Sequence, residues 1–106
     1  MDVRKWSDAE KKLSRQLFEA ALGAELAAVM AEFKARAAAA ATPDEMWAVE
    51  AYLTTQRREI DGKYDYRYSQ LLFVFGRLVR EGRLTLEQVH GLSEDKRATN
   101  EQIASF

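Results

Sequence analysis

Apolar positions recur at helical spacing along most of the chain, and the breaks between them carry helix start and stop chemistry. Ser7-Asp8-Ala9-Glu10 reads as a capping box, in which the Ser7 hydroxyl accepts from a free backbone N–H and Glu10 reaches back. From it the pattern predicts one helix running to Ala41, interrupted only by Gly23. Thr42-Pro43-Asp44-Glu45 combines a Thr cap, Pro at the first helical position and Glu at the third, so a second helix is expected there. Its end is expected near Asp61-Gly62, with Gly62 as the left-handed terminator. Leu71-Leu72-Phe73-Val74-Phe75 alone could be a buried strand, but Tyr68, Leu71, Leu72, Phe75, Leu78 and Val79 keep helical spacing over four turns. The third helix is therefore placed over Tyr66 to Glu81, closed by Gly82. Thr85-Leu86-Glu87-Gln88 offers a capping box for a short helix ending at Gly91, and Ser93 can cap a last polar one. The fold class expected is all-α, with two long helices, one medium and two short.

The first helix sets the assembly. About 34 residues at 1.5 Å each extend roughly 50 Å, more than a domain of this size is wide. It carries two apolar stripes: Phe18, Leu22, Leu26, Val29 and Phe33 on one side, and Leu13, Leu17, Ala20, Ala24, Ala28, Ala31 and Ala35 on another. One packing partner needs one stripe, and the small residues of the second let another helix approach closely. The partner is the helix starting at Thr42 or the same helix of a second subunit; Ala placed there for helix propensity alone is the plainer alternative. A homodimer is expected, with Leu22, Leu26 and Phe33 at the interface. The 106 residues are read as a single all-helical domain, with a long-helix antiparallel stalk over about 7–61 and a small helical head over about 62–106.

Composition narrows the function. Apolar residues are 47% and charged residues 31%, enough for a core and against disorder, while a net charge of −1 gives no global pull toward nucleic acid or anionic lipid. The absence of Cys removes disulfides, thiolate metal sites and cysteine nucleophiles. No apolar leader opens the chain and no window approaches 18 uninterrupted apolar residues, so no integral membrane segment is expected and the chain is placed in the cytoplasm. His90 is the only histidine and has no partner at metal spacing, so a surface role fits it best. Glu59, Asp61 and Asp65 cluster, but Arg57, Arg58, Lys63 and Arg67 interleave with them; mutual neutralisation explains the carboxylates more simply than acid–base catalysis. No catalytic residue, metal or cofactor is assigned, and the chain is read as a non-enzyme.

The segment Trp47 to Arg67 stands out, because it gathers Trp47, Tyr52, Arg57, Arg58, Tyr64, Tyr66 and Arg67. Trp, Tyr and Arg dominate binding hot spots, each joining a large contact area to a polar handle. On the second helix Met46, Val49, Leu53 and Ile60 form the core stripe, and Trp47, Glu50, Ala51, Thr54 and Arg58 a neighbouring one; Trp47 as a core residue is the competing reading. Gln56 to Arg83 holds seven Lys or Arg against four acids. A nucleic-acid module could use that local +3, but the acids are interspersed rather than segregated.

The run WAVEAYLTTQRREIDGKYDYRYSQLLFVF, from Trp47 to Phe75, closely resembles the fluorescence recovery protein family of cyanobacteria and its relatives in other bacteria. The most specific stretch, Arg57-Arg58-Glu59-Ile60-Asp61-Gly62-Lys63-Tyr64-Asp65, is similar to the family's R-x-E-I-D-G-K-Y-D signature, followed by Arg67 and Phe73-Val74-Phe75 at family spacing. Trp6-Ser7 with Glu10, Leu17-Phe18 and Glu25-Leu26 match toward the N-terminus, and the likeness covers roughly residues 6–98. The resemblance implies an all-helical homodimer with a helical head at each end. It implies a regulator without a cofactor that binds the light-activated orange carotenoid protein, detaches it from the phycobilisome and speeds its red-to-orange return. In a cyanobacterium that would place it at the cytoplasmic face of the thylakoid. By position, Trp47 and Arg57 match the family's functional Trp and Arg, Met46 a dimer-contact leucine and Phe73 a head phenylalanine implicated in partner contact. The family's His-Asp pair is Glu50-Ala51 here, so both positions join the partner-binding set. A homologous scaffold with a different protein client, and a small helical nucleic-acid binder, are the alternatives.

Overall fold

The computed structural model describes residues 5–92 and 94–105. Four helices carry them: α1 (Asp8–Ala39), α2 (Pro43–Lys63), α3 (Tyr68–Arg80) and α4 (Glu94–Ala104). No strand occurs among the described residues, as the periodicity of the 71–75 run requires.

Both capping boxes on the long helices form. Ser7 Oγ accepts from the Glu10 N–H at 3.1 Å while Glu10 Oε1 accepts from the Ser7 N–H at 2.9 Å. Thr42 Oγ1 accepts from the Glu45 N–H at 3.2 Å, and the Glu45 carboxylate reaches the Ala41 N–H at 2.9 Å. Each cap satisfies donors that a helix start leaves bare.

Three expectations at helix ends are corrected. The second helix does not stop at Gly62: it runs through that residue to Lys63 and ends on Tyr64, whose N–H bonds the Ile60 carbonyl at 2.9 Å with a negative φ. The physical reason is the buried contact that Lys63 makes from the helical turn, described below. The third helix begins at Tyr68 rather than Tyr66, with Tyr66 packed by its ring against Phe18. The stretch from Thr85 to Gly91 forms successive turns and no helix: Gln88, His90 and Leu92 bond back three residues to Thr85, Glu87 and Val89. The capping box itself is made, with Gln88 N–H to Thr85 Oγ1 at 3.1 Å and Thr85 N–H to Gln88 Oε1 at 2.8 Å. Too few residues follow it for a helix to repay its nucleation. Gly82 closes α3 as expected: it has φ 77°, and the Arg83 and Gly82 N–H groups bond Leu78 and Val79 carbonyls in a Schellman arrangement. The proposed Ser93 cap lies outside the described residues.

The chain divides into two compact units, one formed by residues 1–21 with 65–106 and the other by Leu22–Tyr64. The division falls within α1. The first unit holds the core: Leu17, Phe18, Ala21, Leu71, Leu72, Val74, Phe75, Leu78, Leu84, Val89 and Leu92 are buried. α3 packs on α4 within it, and Gly76 provides the notch for Ile103. Its second feature is a buried ion pair, Lys96 with Glu10 at 3.2 Å, with the Lys96 ammonium also on the Lys5 carbonyl and 4.8 Å from the Trp6 ring. In the Leu22–Tyr64 unit only Glu25, Ile60 and Lys63 are buried, so its one buried apolar side chain is Ile60.

Candidate partner-binding surfaces

On α2 the residues expected to meet a partner are exposed. Trp47 is 59% exposed, and Glu50, Ala51, Thr54 and Arg58 share its side of the helix. Trp47 is therefore not a core residue of its own chain. A large aromatic left in water offers an area worth several kcal/mol to whatever covers it, on the scale of about 25 cal/mol per Å². Arg57 is almost wholly exposed and makes a loose i,i+4 pair with Asp61 at 3.7 Å, which leaves its guanidinium donors available.

The apolar side of the same unit is also open. Met46 is 50% and Leu26 45% exposed, Met30 is exposed, and Leu22, Val29, Phe33, Val49 and Leu53 are half-buried. The shallow grooves between α1 and α2 include one of about 300 Å³, lined by Phe33, Ala37, Ala40, Met46, Val49, Glu50 and Leu53, and one of about 160 Å³ beside Leu26, Val29, Leu53, Ile60 and Arg57. The Ala stripe of α1 from Ala24 to Ala35 is exposed as well. The Met46, Val49, Leu53 and Ile60 stripe is thus closed only at Ile60.

Phe73 belongs to the other unit. It is 58% exposed on α3, whose outward positions are Tyr68, Ser69, Phe73, Arg77 and Arg80. The burial of Leu71, Leu72, Val74, Phe75 and Leu78 fixes that face by helical spacing.

Charge is largely neutralised within the chain. Of the seven cations between Gln56 and Arg83, Arg57, Lys63, Arg67, Arg77 and Arg83 pair with carboxylates. Arg67 Nε donates to both Asp65 oxygens at 2.9 and 3.0 Å, and this hydrogen bond holds the Asp65 carboxyl below its ordinary range. Little net field remains to attract phosphate. His90 is exposed with Nδ1 3.2 Å from an Arg97 nitrogen. No helix among the described residues is long and apolar enough to cross a membrane.

Besides the Lys96–Glu10 pair, sequence reasoning missed two clusters. The first is Glu25 with Lys63 and Tyr64, whose residue types mark the signature but whose long-range pairing no local spacing announces. The second is a ladder of rings and cations: Trp6 on Tyr68 at 5.5 Å, Tyr68 on Tyr66 at 5.7 Å, Tyr66 on Phe18 at 4.9 Å, with the Arg15 guanidinium 3.8 Å from the Tyr66 ring. Helical spacing of Lys11, Arg15 and Phe18 on α1 was the available signal.

The family model for the photoprotection regulator fluorescence recovery protein matches residues 6–104. The fluorescence recovery protein of Synechocystis sp. (strain ATCC 27184 / PCC 6803 / Kazusa) is 36% identical over 99 residues, covering 93% of this chain and 91% of that one. Among solved structures, the fluorescence recovery proteins of Fremyella diplosiphon and Synechocystis sp. PCC 6803 superpose with TM-scores of 0.92 at 33% and 35% identity, each covering 96% of this chain and all of its own. Extent, identity and fold agree, and the chain belongs to the fluorescence recovery protein family of photoprotection regulators.

Proposed function

We propose that the protein is a non-enzymatic, dimeric regulator of an orange carotenoid protein. It binds the photoactivated form, releases it from the phycobilisome and accelerates its red-to-orange reversion. Family membership across residues 6–104 carries this reading, and the exposed Trp47–Arg57 side of α2 supports it as the working surface. Trp47 is the apolar anchor, Arg57 the charged contact and Phe73 a further contact from the other unit. A binding protein can speed reversion only by holding the compact state, or the transition toward it, more tightly than the open one.

Dimerisation is supported by the exposed groove and by energy. Ile60 is the one fully buried apolar side chain of the Leu22–Tyr64 unit, while Leu22, Val29, Phe33, Val49 and Leu53 stay half-buried. Covering Met46, Leu22, Leu26 and Phe33 with a second copy supplies the burial that this unit lacks alone. The cytoplasm is the compartment this client requires.

Glu50-Ala51 in place of the His-Asp pair favours a second reading, in which the same scaffold serves another client. Losing the acid removes a charge that could orient a partner's cation. The test follows absorbance recovery of photoactivated orange carotenoid protein with and without the chain. Recovery is expected to accelerate modestly, to accelerate further with Ala51→Asp and to lose most of the effect with Arg57→Leu. Unchanged kinetics with both wild type and Ala51→Asp, across several carotenoid-protein homologues, assign the scaffold to a different client.

A further inference from the structure

Gly62 stands one residue inside the end of α2, and nothing in its own chain calls for a glycine there. The helix runs through it because Lys63, the next residue, places its ammonium 2.7 Å from the Glu25 carboxylate. Among the described residues only Gly82 has a positive φ, so no left-handed turn requires Gly62. A Cβ built on it meets nothing within 4 Å, so no neighbour needs the space either. Glycine is inferior to alanine in a helix, and the use left to it is to let another molecule come close to the backbone.

Gly62 ends a row that starts at Trp47, which is 59% exposed. At about 100° per residue, Thr54 falls roughly 20° to one side of Trp47, and Arg58, Ala51 and Gly62 within roughly 60° to the other. Arg58 is eleven residues from Trp47, three turns or about 16 Å along the axis. It is exposed and, among the described residues, makes no ion pair or hydrogen bond. Glu50, Arg57 and Asp61 turn the opposite way and line the α1–α2 grooves, where Arg57 pairs with Asp61. Arg58 is therefore the single charge of the row, and a surface of that kind fits an acidic segment. Gly23 is equally open, but three and four residues from it stand Glu19, Ala20, Leu26 and Ala27, with no cation or aromatic among them.

We propose that Arg58 and Gly62 extend the client-binding surface of α2 from Trp47 to the foot of the helix. The client segment that fits it offers an apolar site to Trp47 and a carboxylate to Arg58, and lies with its backbone against α2 at Gly62. The identity of the client rests on the proposed function.

Recovery of photoactivated orange carotenoid protein is followed with wild type, Arg58→Leu, Arg58→Lys, Gly62→Gln and Gly23→Ala, alongside the mass and melting temperature of each variant. Gly62→Gln is expected to reduce acceleration several-fold while the melting temperature stays level or rises, because the added side chain meets nothing in its own chain and favours the helix. A glycine needed only for the fold gives the opposite, a lowered melting temperature. Arg58→Leu is expected to lose acceleration several-fold and to flatten its salt dependence, and Arg58→Lys to keep most of both. Gly23→Ala is expected to raise the melting temperature and leave acceleration unchanged. While wild type accelerates recovery, full activity in either Arg58→Leu or Gly62→Gln overturns this surface and leaves the functional reading standing. Losses that accompany a lowered melting temperature or a changed mass overturn it as well. No acceleration by wild type removes the functional reading and the foot together.

Discussion

A hydrogen in place of a methyl at Gly76 lets α4 lie against α3. A Cβ built there would stand 2.6 Å from the Ile103 Cβ and 3.4 Å from the Asn100 carbonyl, a clash with a neighbouring helix rather than a flexible tip. Gly76→Ala should therefore cost about 1–3 kcal/mol through overpacking, seen as a lowered midpoint in urea. Gly23 has nothing within 4 Å and sits inside α1, so Gly23→Ala should stabilise by roughly 0.5–1 kcal/mol. Opposite signs from one chemical change would separate packing from helix propensity. Tyr66 offers a titration at the same scale. Burial, with the Tyr68 hydroxyl close by, pushes its phenol above the ordinary value. A raised pKa favours the neutral form in the fold. This contribution is complete below the unfolded value of about 10 and is lost as pH rises through the folded one. Tyr66→Phe should remove a late-titrating phenol from the tyrosinate absorbance curve and flatten the loss of stability above that pH.

Helix starts proved more regular than helix ends. Ser7 and Thr42 cap as their sequences demand, because a cap needs only residues three apart and acts locally. Thr42→Ala should lower stability by about 0.5–2 kcal/mol and fray the start of α2, measurable by circular dichroism on heating. Gly62 shows why ends are harder. An Asp-Gly step permits termination, but the helical turn that contains it also delivers Lys63 to Glu25, and the tertiary contact prevailed over the local preference. Thr85–Gly91 shows the converse, a good cap with too short a run behind it.

Across the whole molecule, burial is divided unequally between the two units, and an exposed Met46 beside Phe33 and Val49 follows from that division. Light scattering at micromolar concentration should return about twice the 12.1 kDa chain mass. Met46→Glu should shift the mass toward one chain while leaving the melting of the residue 65–106 region nearly unchanged, since Met46 is half-exposed in a single chain and only a covering subunit makes its charge costly. A mass near one chain for wild type across the micromolar range would sink the dimer.

The all-α class, the starts of the two long helices, the Gly82 stop and the apolar faces were legible in the sequence, because capping and 3.6-residue periodicity are short-range properties that each segment states for itself. The family was legible too, since Arg57 to Asp65 carries a signature of unusual residue types at fixed spacing. Which stripe would be covered was not. Trp47 and Ile60 lie on one helix and both read as buriable, yet only the three-dimensional packing leaves Trp47 in water and buries Ile60. Nor could spacing pair Glu25 with Lys63 or Glu10 with Lys96, because partners 38 and 86 residues apart meet only after the helices have packed. The sequence alone determined what each helix is; tertiary structure decided what each helix faces, because burial is a property of neighbours and not of the chain's own order.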